Sequence, residues 1–503
     1  MSSSTAPEEG LDRALLAVAG VVVLGAVMSI LDTTVVNVAI NTLSRDFDTS
    51  LSTIQWIVTG YTLALATVIP LTGWGADRFG TKRLYMLSIG LFLSGSALSG
   101  AAWSAESLIV FRVLQGLGGG MLMPAGMTIL TRAAGPQRVG RVMAIMGVPM
   151  LLGPILGPIL GGWLVDDVSW RWIFFINLPI GAFALFLSLR VLPKDEPQPS
   201  ERLDVLGLVL LSPGLALMIY GLAQSSTDGF GSAGVLVPAL AGLVLLIAFV
   251  RHALHKPNPL IDLRLFLNRT FTTASLTLVL MVISVFGAML LLPLYFQAVR
   301  GESALQSGLL LAPQGIGAML MMPIAGYLTD KTGIGKIVMP GMTLIALSTL
   351  WLTQLEGDTS YWVLSADLFV MGMGMGFAMM PLFSGAMQTL RKAAVARAST
   401  TLNILQQVAA SIGTAVMSVI LTQALRDRLP GAPSGGGLGQ SGKGLPAQTR
   451  DLMADAFGHT YIWATALVVV AFAAAFFLPR HKPEPIEEDE PGGEASAAVL
   501  MHA

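Results

Sequence analysis

No cysteine occurs in the 503 residues, which excludes a disulfide framework, thiolate metal sites, iron–sulfur clusters and a cysteine nucleophile together. Charge is scarce: Asp, Glu, Lys and Arg supply 12% of the chain, where ordinary soluble domains carry about 25%. Histidine is rare as well. His252, His255, His459, His481 and His502 fall in loops, at span edges or in the tail, so no histidine cluster can hold a metal within the apolar part of the chain. No apolar stretch joins a nucleophile to a base or sets two carboxylates at short spacing, which argues against an enzyme and against a bound cofactor. A net charge of -1 carries no message about partners, and no nucleic acid is expected among them.

What fills the chain is apolar: 54% of it is hydrophobic, with 55 Gly and 26 Met. Stretches long enough to cross a bilayer core of roughly 30 Å fall at 14–41, 52–75, 84–103, 107–131, 142–165, 172–192, 205–224, 234–252, 271–299, 304–328, 336–354, 361–390, 400–424 and 457–478. The expected fold is an all-α polytopic membrane protein of 14 transmembrane helices, held together by close packing of small residues in lipid. Taking the N-terminal tail, every second loop and the C-terminal tail as one side, 21 of the 29 Lys and Arg residues lie there and 7 lie opposite. Positive charge accumulates on the cytoplasmic side, so both termini are expected in the cytoplasm.

The segment 425–456 is rich in Gly, Pro and Ser and reads as an external loop. Its GLGQSGKG (437–444) nearly matches a phosphate-binding loop, but Gly444 stands where Ser or Thr is needed and no strand precedes it. The tail 479–503, with EPIEEDEPGGE at its centre, is acidic and proline-rich and reads as disordered.

Two strings recur. GWGADRFGTK (73–82) after the second span matches GYLTDKTGIGK (326–336) after the tenth: each has Gly, Asp four residues on, a base, and Gly three after the Asp. QGLGGGMLMP (115–124) matches MGMGMGFAMMP (371–381) at a similar offset. Two six-helix units, 14–192 and 271–478, with an inserted pair 205–252 between them and a tail 1–13 in front, account for both matches. Parallel repeats of this kind let a central site alternate between two sides of a membrane.

Three ionisable side chains lie inside spans: Asp32, Arg112 and Asp367. An Asp at a helix centre costs roughly 2.5–3.5 kcal/mol to insert, so it survives where it faces a cavity or a partner. All three fall at similar depth in the outer half, and pairing across a central cavity is the cheapest way to hold them; the alternative is that they snorkel to the headgroups. A carboxylate beside an arginine in an apolar cavity can take up and release a proton as its surroundings change, and Asp32 is the foremost candidate.

In the repeated loop, Gly73 and Gly80 permit a tight turn, Asp77 can cap the next helix or pair across the loop, and Arg78, Lys82 and Arg83 supply positive charge. Asp330 is the counterpart of Asp77. A plain topological turn would need neither the Asp nor the paired glycines, least of all twice, which favours a gate. In GVPMLLGPILGPILGGWL (147–164), Gly153-Pro154 and Gly157-Pro158 are followed by Gly161-Gly162. The prolines bend a helix and glycines at spacing four make a packing groove, so this stretch reads as a kinked hinge or as a small-residue contact face. Met289, Met319, Met321, Met322, Met373, Met375 and Met379 could line an adaptable pocket or face lipid.

These strings together resemble the major facilitator superfamily and, within it, the fourteen-span drug:proton antiporters. LDTTVVNVAI (31–40) is similar to the group's first-span motif, GWGADRFGTK to the cytoplasmic loop motif, RVLQGLGGGMLMP (112–124) to the span-four motif with its arginine, and the 147–164 string to the antiporter motif of span five. WRWIFFINLPIG (170–181) is also typical of the group. The resemblance implies proton coupling and substrate response at Asp32 and Arg112, a cytoplasmic gate at Asp77 and Arg78, and interdomain movement at the Gly/Pro run. Thr81 departs from the loop motif, and span thirteen offers only Asn403, Gln406 and Gln407 where some members carry a carboxylate, leaving Asp367 as the one further acid. The function implied is export of lipophilic, amphipathic, often cationic compounds, or of lipids, in exchange for protons and without any cofactor. It would be carried out by a monomer in the plasma membrane of a bacterium. An exporter of one endogenous product is the rival on the same fold.

Overall fold

The computed structural model describes residues 12–135, 159–194, 202–228, 231–388, 394–429 and 446–480, with isolated positions between 138 and 157 and Leu390. The phosphate-loop-like string at 437–444, the acidic end of the tail, Pro154 and Pro158 lie outside the described residues, as does the side chain of Asp330.

The longer helices run in chain order as α1 (Arg13–Asp46), α2 (Leu51–Val68), α3 (Leu71–Phe79), α4 (Thr81–Gly100), α5 (Ala105–Ala134), α6 (Asn177–Val191), α7 (Val205–Asp228), α8 (Ala233–His255), α9 (Arg269–Ala298), α10 (Ala304–Thr332), α11 (Ile334–Trp351), α12 (Tyr361–Gln388), α13 (Val395–Arg428) and α14 (Ala447–Ala475). Several starts are set by side chains that satisfy the orphan amides of a first turn. The Asp12 carboxylate accepts from the Leu15 amide at 2.6 Å, the Asn268 side chain accepts from the Phe271 amide, and Ser104/Ser107 and Ser303/Gln306 form reciprocal capping boxes.

Among the described residues eleven helices are long and apolar enough to cross a membrane, or twelve if a bent pair is taken as one span. That pair is α2 and α3, which meet at 53° where Pro70 interrupts the backbone ladder. Of the other expected spans, 84–103 coincides with α4, a 20-residue helix that carries Lys82, Arg83 and several serines and is not among the eleven, and 142–165 falls partly outside the described residues.

One expectation is corrected here. The string GWGADRFGTK is not a loop: Gly73 to Phe79 belong to α3, and Gly80 alone makes the turn into α4. Gly80 has φ 92° and ψ 152°, and Gly333 between α10 and α11 has φ 94° and ψ 151°, a left-handed conformation that only glycine adopts without strain. Gly73 serves a different end. A Cβ there would lie 3.2 Å from Thr400 Oγ1 and 3.5 Å from the Arg397 Cα, so its missing side chain lets α3 lie against α13.

Packing divides the helices into two groups, α1, α2, α4, α5 and α6 in one and α9 to α14 in the other. Contacts inside each are close enough to need glycine: a Cβ on Gly118 of α5 would come 2.4 Å from the Phe92 amide of α4, and one on Gly372 of α12 would come 1.9 Å from the Gln314 carbonyl of α10. At the end bearing the Gly80 and Gly333 turns the groups share one buried apolar cluster. At the other end each has its own, around Leu43, Ile54 and Trp170 in the first group and Leu291, Tyr295 and Phe457 in the second. Helix α7 lies along the seam. It packs on α2 and α13, Ser212 donates to the Thr67 carbonyl at 2.6 Å, and Leu211 and Leu215 bury with Ile69 and Ile404.

Candidate functional site

Asp32 sits on α1 with 1% of its surface exposed, and Arg112 on α5 is equally buried. The structure brings them together: Arg112 Nη1 donates to Asp32 Oδ2 at 2.5 Å. Charges taken out of water are held only if their remaining hydrogen-bonding capacity is met, and here neighbours meet it. Asp32 Oδ1 accepts from Gln115 Nε2 at 2.8 Å and from Asn177 Nδ2 at 3.1 Å. Gln115 Oε1 in turn accepts from Arg112 Nη1 at 2.7 Å, and Arg112 Nε donates to the Ile57 carbonyl at 3.4 Å. Ser96 Oγ receives both amides, from Gln115 at 3.2 Å and from Asn177 at 3.0 Å, and passes its own proton to the Phe174 carbonyl at 2.9 Å. Four helices, α1, α4, α5 and α6, thus converge on one carboxylate.

Local sequence explains the convergence. Arg112 and Gln115 are three apart on α5 and therefore share a face. Asn177 opens α6, and Gly95 beside Ser96 lets α4 approach the Gln115 backbone, where a Cβ would come within 2.5 Å. Gln115, Asn177 and Ser96 were not singled out by sequence reasoning, although Gln115 lies in RVLQG and Asn177 in WRWIFFINLPIG. An amide side chain in an otherwise apolar span is the signal that would have found them.

Asp367 is not part of this network. It lies on α12 in the other helix group and accepts from Ser348 Oγ of α11 at 2.7 Å. Asp32 and Arg112 thus meet inside one helix group and not across a cavity between groups, and Asp367 lies apart from them.

A cavity of about 400 Å³ lies between the two groups. Ser29, Thr33, Thr34 and Tyr61 form part of one wall, and Asn403, Gln406 and Gln407 of α13 part of the other. Met123, Met289, Met322, Met375 and Met379 supply flexible apolar surface, so four of the seven methionines singled out in the sequence face it. Among the described residues, no Asp, Glu, Lys, Arg or His lines it. Tyr61 separates the cavity from the ion pair: it lines the cavity, and its ring centre lies 4.1 Å from the Arg112 guanidinium carbon. Its buried hydroxyl lies beside the Ser29 and Thr33 hydroxyls but makes no well-formed hydrogen bond among the described residues.

That orphan hydroxyl gives a direct expectation. Tyr61→Phe keeps the ring on Arg112 and removes an unsatisfied polar group, so the variant should melt no lower than the parent and gain about 1 kcal/mol. Tyr61→Ala should lose about 3–5 kcal/mol, as aromatic truncations in packed cores do. Thermal melts of the purified protein decide it. A Phe variant that melts well below wild type would mean that the hydroxyl is bonded after all.

At the shared-cluster end, Asp77 reaches beyond its own turn, farther than the sequence had led us to expect. Its Oδ1 meets Arg132 Nη2 of α5 at 3.1 Å and its Oδ2 meets Arg397 Nε of α13 at 3.7 Å, which joins the two helix groups. Neither arginine was singled out from the sequence. Lys82 donates to the Leu189 and Leu192 carbonyls at the end of α6, and Arg78 is exposed on α3. Nearby, Ser399 of α13 donates to the Pro124 carbonyl of α5 at 3.2 Å.

The glycines of the 147–164 string divide by environment. A Cβ on Gly153 would come 2.1 Å from Ile30 Cγ2, one on Gly157 2.1 Å from Thr34 Oγ1 and one on Gly161 3.1 Å from the Val35 carbonyl, while Gly162 has nothing within 4 Å. Thr34 also donates to the Gly153 carbonyl at 3.1 Å. The spacing-four glycines therefore form the groove that receives α1 on both sides of Asp32.

The profile of the Major Facilitator Superfamily matches residues 22–414. A protein named Multidrug resistance protein B homolog, from Mycobacterium tuberculosis, is 47% identical over 493 residues, covering 94% of this chain and 91% of its own length. The Multidrug export protein EmrB of Escherichia coli is 32% identical over 419 residues, covering 83% and 81%. Among solved structures, the human organic anion transporter MFSD10 superposes with a TM-score of 0.61 at 15% identity, over 91% of this chain and all of that one. The proton:xylose symporter XylE does so with 0.56 at 14% identity, over 90% and 94%. These two share the fold.

Proposed function

The chain belongs to the Major Facilitator Superfamily, and from that premise we propose that it exports amphipathic drug-like compounds in exchange for protons. The observation that carries this reading is the buried Asp32–Arg112 pair, held one aromatic ring away from a central cavity. The bond pattern supports coupling. Asp32 Oδ2 faces an Arg112 N–H and Oδ1 faces two amide N–H groups, all donors. A proton placed on Oδ2 would stand against the Arg112 N–H and one on Oδ1 against two amide N–H groups, so protonation weakens the ion pair. Proton uptake would release Arg112 toward Gln115 and Tyr61, and Tyr61 would relay that displacement to the cavity wall.

The names of the bacterial relatives support a drug cargo, the long apolar helices support a place in the bacterial plasma membrane, and the methionines and neutral amides of the cavity suit ligands of varied shape. The matching Gly80 and Gly333 turns and the two packing groups support two six-helix repeats with α7 and α8 inserted, fourteen spans in all. On that reading Asp77, Arg132 and Arg397 form the gate on the cytoplasmic side, closed in this structure, and Asp367, in the other helix group, is a second candidate for proton uptake.

The test is proton flux in sealed proteoliposomes carrying an internal pH-sensitive dye. Adding a lipophilic compound should drive a proton signal, and a chemically unrelated second compound should compete with the first. Compound movement without any proton signal would overturn antiport. A signal confined to one chemical series would overturn the multidrug cargo.

A further inference from the structure

The inserted helices carry a second cavity, of about 650 Å³, where the start of α7 meets the end of α8. Its walls are of two kinds. Leu206, Leu210 and Ala248 form an apolar side, and Arg251, His255 and Lys256 a basic one. The apolar side continues into a surface made for hydrocarbon: Val205, Val209, Ile247 and Leu254 are all more than half exposed, and α8 is the least buried of the candidate spans. The basic side sits where these spans end, at the level of lipid headgroups.

The basic wall is a built feature. The Asp204 carboxylate, 1% exposed, accepts from Lys256 Nζ at 2.8 Å, from His252 Nε2 at 2.9 Å and from the Gly207 and Leu260 amides at 2.9 and 3.2 Å. Burial alone would raise its pKa; Lys256, the Gly207 amide, His252 and the Leu260 amide outweigh this and hold it at about 2. Asp204 thereby pins the α7 start to the α8 end, and it neutralises only one of two permanent cations. Lys256 keeps two further protons to donate, and the exposed Arg251 guanidinium stands beside it. His255 Nδ1 donates to the Arg251 carbonyl at 2.7 Å, which leaves Nε2 at the cavity.

We propose that this cavity binds the phosphodiester headgroup of an anionic phospholipid, with Arg251 and Lys256 on the phosphate and the acyl chains along Leu206, Leu210 and Ala248. The chemistry of the two walls matches the two parts of such a molecule. A zwitterionic lipid would bring its own ammonium against the guanidinium, and a free phosphate would leave the apolar wall uncovered. Because α7 lies along the seam between the helix groups, the bound lipid would brace the inserted pair at the place where the groups part.

Native mass spectrometry of the full chain, titrated with phosphatidylglycerol or phosphatidylcholine, tests this. Wild type should retain one phosphatidylglycerol and bind it at least about tenfold more tightly than phosphatidylcholine. From the usual contribution of a basic residue near an anionic surface, Arg251→Gln should weaken that binding about fivefold and Arg251→Gln with Lys256→Gln about thirtyfold. Arg251 takes no part in the Asp204 cluster, so its single variant should fold as wild type does. Arg190→Gln, at the end of α6, should change nothing. Equal affinity for the two lipids, an unaffected Arg251 variant, or an equal loss in the Arg190 variant would overturn the site. Displacement of the lipid by millimolar glycerol phosphate would overturn its assignment to a membrane lipid.

Discussion

Asp32→Asn is expected to abolish compound-driven proton flux and to lower the melting temperature in the same protein. Asparagine still accepts from Gln115 and Asn177, but its amide now faces Arg112 Nη1, donor against donor, and leaves the guanidinium buried without a counterion. Breaking one half of a buried pair costs about 3–5 kcal/mol. Lost transport alone would therefore be ambiguous. The double variant, Asp32→Asn with Arg112→Gln, removes both charges and should recover most of the thermal stability, because an unpaired ion no longer has to be kept out of water. It should not recover proton flux. A single Asp32→Asn variant that transports with wild-type pH dependence would remove Asp32 from the coupling step.

The second large effect is expected at a residue with no functional group. Gly157→Val should reduce transport to background, since a Cβ there overlaps Thr34 Oγ1 at 2.1 Å and Thr34 Cβ at 2.5 Å and must push α1 away two residues from Asp32. Overpacking of this sort costs about 1–3 kcal/mol or more. Gly162→Val should be close to neutral in the same assay, as open space surrounds it. Flux measurements on the two variants at matched protein levels separate a specific contact with α1 from a general need for flexibility in the motif. Equal damage at both positions would favour flexibility.

Much of this site was legible from Asp32 and Arg112, because a charge in a long apolar run is costly and must be explained. The two could be paired on paper since each lay at similar depth. Asp367 lay at that depth too and is elsewhere: depth is one coordinate, and the helix group and face that supply the other two depend on packing. Gln115, Asn177 and Ser96 escaped notice because a neutral amide or hydroxyl in a span costs far less than a charge and so attracts less attention. For Asp77 the residue was read correctly as unusual but its partners were not, as Arg132 and Arg397 come from helices distant in sequence. Gly73 shows the same limit. A glycine before a turn suggests a turn, whereas here it marks the line along which one helix lies against another.

The neutral walls of the central cavity have an electrical consequence. With no fixed charge among the described residues of those walls, a passenger carries through the membrane only the charge it brings. If Asp32 carries a single proton inward per cycle, an uncharged compound leaves a net inward movement of one positive charge, favoured by about 2.3 kcal/mol for each 100 mV of membrane potential. A monovalent cation leaves none. The same protein would then draw on voltage for neutral cargo and on the pH difference alone for cationic cargo, so cells with a collapsed pH gradient would still clear the former.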